Sequence, residues 1–163
     1  MQSLAASSLL TFLLQVRGRH SVGAEGAGGG LVIDAEGRVQ PFALHSLFDP
    51  PHPSDRNVLR LTHDMLELLG AGRAAGGGGF LSSEPFKYLC SLMVRGYLAV
   101  RLQHELLLSL VSLMLQSGVA GVKKDALEQL RVRLQLDMNE REASQFLMER
   151  IRESAIEASS SYL

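Results

Sequence analysis

The sequence predicts a mostly helical domain with one small β-hairpin near its N-terminus. Three observations carry that reading. From Ser83 onward, apolar residues recur at helical spacing between capping residues. Upstream, the apolar run Leu31-Val32-Ile33 meets a glycine-bearing turn, Asp34–Gly37, and a returning segment, Arg38–Phe42, which is the pattern of a hairpin. Two Gly-rich stretches, about 23–30 and 70–79, interrupt the first half. Ordering so many glycines is entropically costly, and the helices beside the second stretch are too short to stand alone. Both are therefore expected to be flexible insertions inside a single domain, 1–163.

Taken in order, residues 1–16 read as a helix, with Leu4, Leu9, Leu10, Leu13 and Leu14 spaced mostly by threes to fives. A polar turn, Arg17–Ser21, precedes the first Gly-rich stretch and the hairpin. Pro50, Pro51 and Pro53 exclude helix or central strand in the loop 46–60. Thr62 is an N-cap candidate for a helix over His63–Leu69. Ser83 caps the next helix, and Glu84-Pro85 opens it with a carboxylate at the positive end of the helix dipole and a proline where no N–H is needed. That helix is expected to run to about Val94 and to break at Gly96. The longest helix is then Tyr97–Ser117, ended by Gly118. Its second half, Leu106–Leu115, is apolar on nearly every side and is expected to be the central buried element. Lys123–Leu134 is amphipathic, with Ala126, Leu127, Leu130 and Leu134 on one face. Asn139 and Glu142 form a capping box for a last helix bearing Ala143, Phe146, Leu147, Arg150 and Ile151 at helical spacing. It fades at Ser159–Ser161, and no internal repeat is present.

Composition sets outer limits. Apolar residues make up 46%, as in ordinary globular proteins. Sixteen Lys+Arg against 17 Asp+Glu leave a net charge of -1, with no general pull toward nucleic acid, so no nucleic-acid partner is expected. The one cysteine, Cys90, lies in an apolar run and is expected to be a buried thiol, which suits a reducing, cytoplasmic setting. Leu9–Val16 is apolar, but no basic residue precedes it and no small-residue cleavage site follows, so it reads as a buried helix and not a signal peptide. Leu106–Leu115 is about half the ~20 residues of a membrane span. The five histidines and Cys90 show no metal-ligand spacing. Gly76–Gly79 lacks the Gly-Lys-(Ser/Thr) and the preceding strand of a phosphate loop. Met93, Met114, Met138 and Met148 read as core fillers.

Several segments, in order, resemble one family. Leu13-Leu14-Gln15-Val16 followed by Arg19-His20 is similar to the approach to the catalytic loop of phosphatidylinositol 3- and 4-kinases, Leu-Leu-Gln-(Ile/Val)-x-Asp-Arg-His-Asn-x-Asn. Val32–Val39 resembles the strand pair leading to the metal-binding Asp-Phe-Gly, and Leu61-Thr62 with Met65 resembles the end of the activation loop. The tightest matches are Pro85-Phe86-Lys87-Tyr88, Val94-Arg95-Gly96-Tyr97-Leu98-Ala99-Val100-Arg101 and Ser109–Leu115. With Met138–Ala143, these resemble the type III alpha phosphatidylinositol 4-kinases in particular, over about 9–155. The resemblance implies a protein-kinase-like C-terminal lobe, with ATP, magnesium and phosphatidylinositol as the family's reactants. The N-terminal lobe, with its phosphate-covering loop and ATP-anchoring lysine, lies outside these residues.

Phosphoryl transfer needs a carboxylate near the attacking hydroxyl and oxygen ligands for magnesium. Carried over by the resemblance, the catalytic-loop Asp falls on Gly18, the Asn after His on Ser21, the metal-binding Asn on Gly23, and the Asp of Asp-Phe-Gly on Ala43. None of the three customary carboxylate or metal positions keeps its side-chain ligand. Asp34 and Asp49 are the nearest carboxylates, and either substitutes only if the loops are rebuilt. His20, with Arg19 beside it, is the one retained catalytic-type residue. It reads either as a general base or phosphate contact, or as a plain turn residue, and the second weighs more because a base without metal or cradle has nothing to activate. In the loop 46–60, Arg56 and Arg60 read either as contacts to an inositol phosphate headgroup or as two solvated arginines.

Two functions follow as expectations. One is the C-terminal lobe of a phosphatidylinositol 4-kinase with little or no turnover and no cofactor of its own, its partner being the remaining kinase lobe. The other is a non-catalytic helical module that binds a protein, or a membrane surface peripherally. The acidic last helix, with Glu140, Glu142, Glu149, Glu153 and Glu157, disfavours anionic lipid.

Overall fold

The computed structural model describes residues 1–16, 31–41, 47–48, 59–70, 80–119 and 122–160. The fold among them is mostly helical. The elements run α1 (Gln2–Leu14), β1 (Leu31–Ile33), β2 (Val39–Pro41), α2 (His63–Leu68), a 3₁₀ turn (Phe80–Ser82), α3 (Glu84–Leu102), α4 (His104–Gln116), α5 (Ala126–Leu134) and α6 (Glu140–Ser160). The Gly-rich stretches, apart from Gly70, lie outside the described residues.

α3 is the axis of the core. Ser83 Oγ accepts from Phe86 N–H at 3.4 Å, and Glu84 and Pro85 fill the first turn. Phe86, Leu89, Cys90, Met93 and Tyr97 are buried between α1 on one side and α6 on the other. α1 is apolar nearly all round and correspondingly buried, with Leu4, Leu9, Phe12 and Leu13 in the core. Its buried Thr11 hydroxyl is satisfied within the helix, against the carbonyls of Ser7 (3.0 Å) and Ser8 (2.9 Å). On α6, Ala143, Leu147, Ile151 and Ala155 form the inward face. The capping box is reciprocal: Glu142 N–H donates to Asn139 Oδ1 and Asn139 N–H to Glu142 Oε2, both at 3.0 Å. Thr62 caps α2 by accepting from Met65 N–H at 3.3 Å.

Two expectations are overturned. The helix predicted to break at Gly96 runs unbroken from Glu84 to Leu102. Gly96 is instead a point of close approach, where a β-carbon would stand 3.0 Å from Leu9 Cδ2 of α1. A glycine inside a helix costs about 1 kcal/mol, and helix–helix packing at that point offsets it. The break falls at Gln103, where α3 and α4 meet at 72°. His104 Nδ1, 2.8 Å from the carbonyl of Arg101, serves a group that the bend would leave free.

The second correction follows from that bend. Leu106–Leu115 is not the central buried element: in α4 only Val111 is buried, while Leu106 is 61%, Leu110 50% and Leu113 57% exposed. α4 swings away from the α1–α3–α6 core and packs on α5 alone among its larger contacts. No single described helix is long and apolar enough to cross a membrane.

Over Leu31–Pro41 the chain pairs Leu31–Ile33 antiparallel with Val39–Pro41, in the register Leu31 to Pro41, Val32 to Gln40 and Ile33 to Val39. Asp34 Oδ1 accepts from Glu36 N–H (3.1 Å) and Arg38 N–H (2.7 Å), and Gly37 sits at φ +73°. A ribbon three residues long is too short to be stable alone; it leans on α1 through β2.

Candidate functional site

Of the residues that the sequence singles out for chemistry, Arg60 and Asp34 are described. Gly18, Arg19, His20, Ser21, Gly23, Ala43, Asp49 and Arg56 lie outside the described residues. What can be built from the residues upward is the frame that holds the ends of those segments.

The frame begins where α1 stops. Gln15 takes a left-handed conformation, φ 46° and ψ 50°, and Val16 N–H returns to the carbonyl of Thr11 at 3.2 Å. The two preceding carbonyls are claimed from outside the helix. Leu14 C=O accepts from Phe48 N–H at 2.7 Å. Leu13 C=O accepts from Arg133 Nε at 2.9 Å. The end of α1, which leads toward the predicted catalytic loop, is thereby held beside Phe48 of the predicted activation loop. Phe48 itself lies at φ 57°, a costly conformation for a bulky residue. Its N–H bond to Leu14, its burial (1% exposed) and the Arg133 guanidinium 5.9 Å from its ring centre jointly hold it there.

Arg133 is 4% exposed, and burial lowers its pKa to about 10, which leaves it charged at neutral pH. Its charge lies at the carbonyl end of α1, the favourable end for a cation. Nη2 has no hydrogen-bond partner among the described residues. α3 fixes Arg133 in turn. Tyr97 is fully buried and its hydroxyl donates to the carbonyl of Arg133 at 2.7 Å. Burial pushes the Tyr97 phenol up to about 12, so it stays protonated and able to donate. Arg101 donates to three carbonyls at and beyond the end of α5: Leu134 at 2.9 Å, Gln135 at 2.8 Å and Met138. Gly96, Tyr97 and Arg101, three residues of one short motif, thus dock α1, pin α5 and cap its C-terminal end.

Arg60 is half-buried between Leu59 and Leu61, both in the core. Leu61 N–H donates to the buried Ser154 Oγ of α6 at 2.6 Å, which fixes the backbone at that point. Asp34 is committed to its turn, where Oδ1 accepts two backbone N–H groups. Among the described residues, no three His, Cys, Asp or Glu side chains stand together as a metal site.

Sequence reasoning missed Arg133 and Ser154. A signal existed for both. Arg133 falls at the i+7 position from Ala126, on the face that holds Leu130 and Leu134. Ser154 falls between Ile151 and Ala155 on the inward face of α6. A polar residue on an apolar stripe is the pattern of a buried anchor.

No protein-family model matches the chain. Curated relatives do. A phosphatidylinositol 4-kinase of Dictyostelium discoideum is 30% identical over 152 residues, 88% of this chain and 11% of that protein. The phosphatidylinositol 4-kinase stt4 of Schizosaccharomyces pombe is 29% identical over 158 residues, 94% of this chain and 8% of its own. Phosphatidylinositol 4-kinase alpha 1 of Arabidopsis thaliana is 29% identical over 151 residues, 90% of this chain and 7% of its own. The chain therefore spans about a tenth of the length of these relatives.

Proposed function

Because the chain is a relative of the phosphatidylinositol 3-/4-kinase family, we propose that it is a C-terminal-lobe portion of a phosphatidylinositol 4-kinase in which the scaffold persists and phosphoryl transfer is lost. One observation carries the reading. The motif Gly96-Tyr97…Arg101 is fully engaged in building the frame around Val16 and Phe48, whereas the positions that would carry the chemistry hold Gly18, Gly23 and Ala43. Neither a hydrogen atom nor a methyl group can take a proton or bind magnesium. Phosphatidylinositol and ATP are the reactants of the ancestral reaction. Arg56 and Arg60 are the headgroup contacts, and His20 with Arg19 is a residue pair left without a metal to work beside.

The test is transfer of labelled γ-phosphate from ATP to phosphatidylinositol vesicles with magnesium present. The expected rate equals that of vesicles alone. Turnover that needs magnesium and disappears in His20→Ala would contradict the reading.

A second reading, the non-catalytic module that meets a protein or membrane surface, is favoured by the apolar residues that α4 leaves in solvent at Leu106, Leu110 and Leu113. Vesicle flotation and sedimentation equilibrium separate a peripheral membrane contact from a protein contact.

A further inference from the structure

Between the 3₁₀ turn, the first half of α3 and the middle of α6 opens a cleft of about 290 Å³, at the small end of the range for small-molecule sites. Its apolar wall comes from Leu81, Phe86, Val94 and Met148, with the thiol of Cys90 among them. Its polar lining is otherwise Ser91 and three cations, Lys87, Arg95 and Arg152; among the described residues no carboxylate lines it. In a chain with 17 acidic residues and a net charge of -1, a cleft with three cations and no acid stands apart. Lys87 already pairs with Glu84 at 2.8 Å. Neither Arg95 nor Arg152 enters any of the ion pairs among the described residues. The Arg152 charge also reaches the cleft interior, since it acts on the Cys90 thiol and partly opposes the rise in pKa that burial imposes there.

The geometry points to a binding site for an amphipathic anion, a single-chain carboxylate or phosphate monoester, with its alkyl chain on the Leu81–Phe86–Val94–Met148 wall and its headgroup on Arg95 and Arg152. Each half of the cleft excludes a simpler ligand. A small inorganic anion leaves the apolar wall wetted, and a neutral alkane-like molecule forgoes the charge-assisted contacts that Arg95 and Arg152 can make. The volume suits a chain and is far too small for a helix, whose side-chain cylinder is about 10 Å across. The site is argued apart from the kinase reading, because Arg60 and Asp34, the described residues that the sequence singles out for chemistry, are not among its lining.

The experiment uses the full chain and the Cys90 thiol as reporter. Dodecyl phosphate and dodecanoate, held below their micellar concentrations, are titrated by calorimetry, and alkylation of Cys90 by N-ethylmaleimide is timed with and without them. Binding with slower alkylation is expected for both. Arg95→Gln/Arg152→Gln, both exposed positions, is expected to weaken binding by about tenfold or more through loss of charge-assisted contacts. Ser91→Trp, which sets an indole at an exposed position in the cleft lining, is expected to abolish it. The circular dichroism of either variant is expected to match the parent. Equal binding by neutral dodecyl maltoside overturns the proposal, and so does equal binding by inorganic phosphate. Protection of Cys90 by anionic vesicles but not by the monomeric amphiphile also overturns it, because it marks a surface contact with a bilayer. Retention of binding by an acidic peptide in place of the amphiphile would assign the cleft to a protein ligand and overturn it as well.

Discussion

Arg133 and Tyr97 decide whether the end of α1 is held. Removing the guanidinium strands the buried carbonyl of Leu13, and a buried acceptor left unpaired costs about 1–3 kcal/mol. Arg133→Met is therefore expected to lower stability by about 2–3 kcal/mol in urea unfolding and to speed hydrogen exchange at Phe48 N–H. Arg133→Lys keeps a charge but not the Nε–H geometry, and is expected to fall between the two. Tyr97→Phe strands the carbonyl of Arg133 and is expected to cost about 1–2 kcal/mol at pH 7 to 9. The phenol titrates near 10 when unfolded and near 12 when folded. Its contribution is thus complete below pH 10 and is lost as pH rises through about 12. The gap between Tyr97→Phe and the parent should close over that window. Arg133 has the opposite sign: its pKa falls on folding to about 10, so its burial penalty stands below pH 10 and eases above it. Buried positions of this kind were only partly legible in the sequence. The Cys90 thiol, the Thr62 cap and the Asn139–Glu142 box could be read from local pattern because each is a short-range device. Arg133 could not be assigned a partner, because the carbonyl it serves lies 120 residues away.

At the scale of elements, packing overrides local pattern in two places. A glycine locally signals a helix break and a leucine run locally signals a core, and in α3 and α4 packing decides otherwise. Gly96 permits the α1–α3 contact. Gly96→Ala is expected to be nearly neutral, because about 1 kcal/mol of helix propensity is set against pressure on the movable tip of Leu9. Gly96→Val has no such relief and is expected to cost about 1–3 kcal/mol through overpacking. α4 gives the complementary test. Its leucine-rich composition reads as core, yet the bend at Gln103 leaves Leu106, Leu110 and Leu113 in solvent. Serine at all three is expected to change the unfolding free energy by no more than about 0.5 kcal/mol per site, whereas Val111→Ala costs about 1–2 kcal/mol. Losses of 2 kcal/mol or more at each leucine would show that α4 is the buried element its composition suggests.

For the molecule as a whole, the order of the described helices was visible in the periodicity, because capping and spacing are written locally. Which helix lies at the centre was not, because that depends on the bend at Gln103 and on contacts between distant segments. The family likeness was visible in an ordered series of short matches. Their physical content emerged only with the packing: the motif around Gly96, Tyr97 and Arg101 is scaffold. The proposal that Gly18, Gly23 and Ala43 stand where the family carries its reacting side chains predicts a chain that keeps the frame and does not hold the family's nucleotide. The direct test is a thermal unfolding titration with ATP and magnesium. A site saturated a hundredfold adds about 2.7 kcal/mol, which for a chain of this size lifts the midpoint by roughly 5–10 °C. The account predicts no movement at millimolar ATP; a magnesium-dependent rise of that size would contradict it.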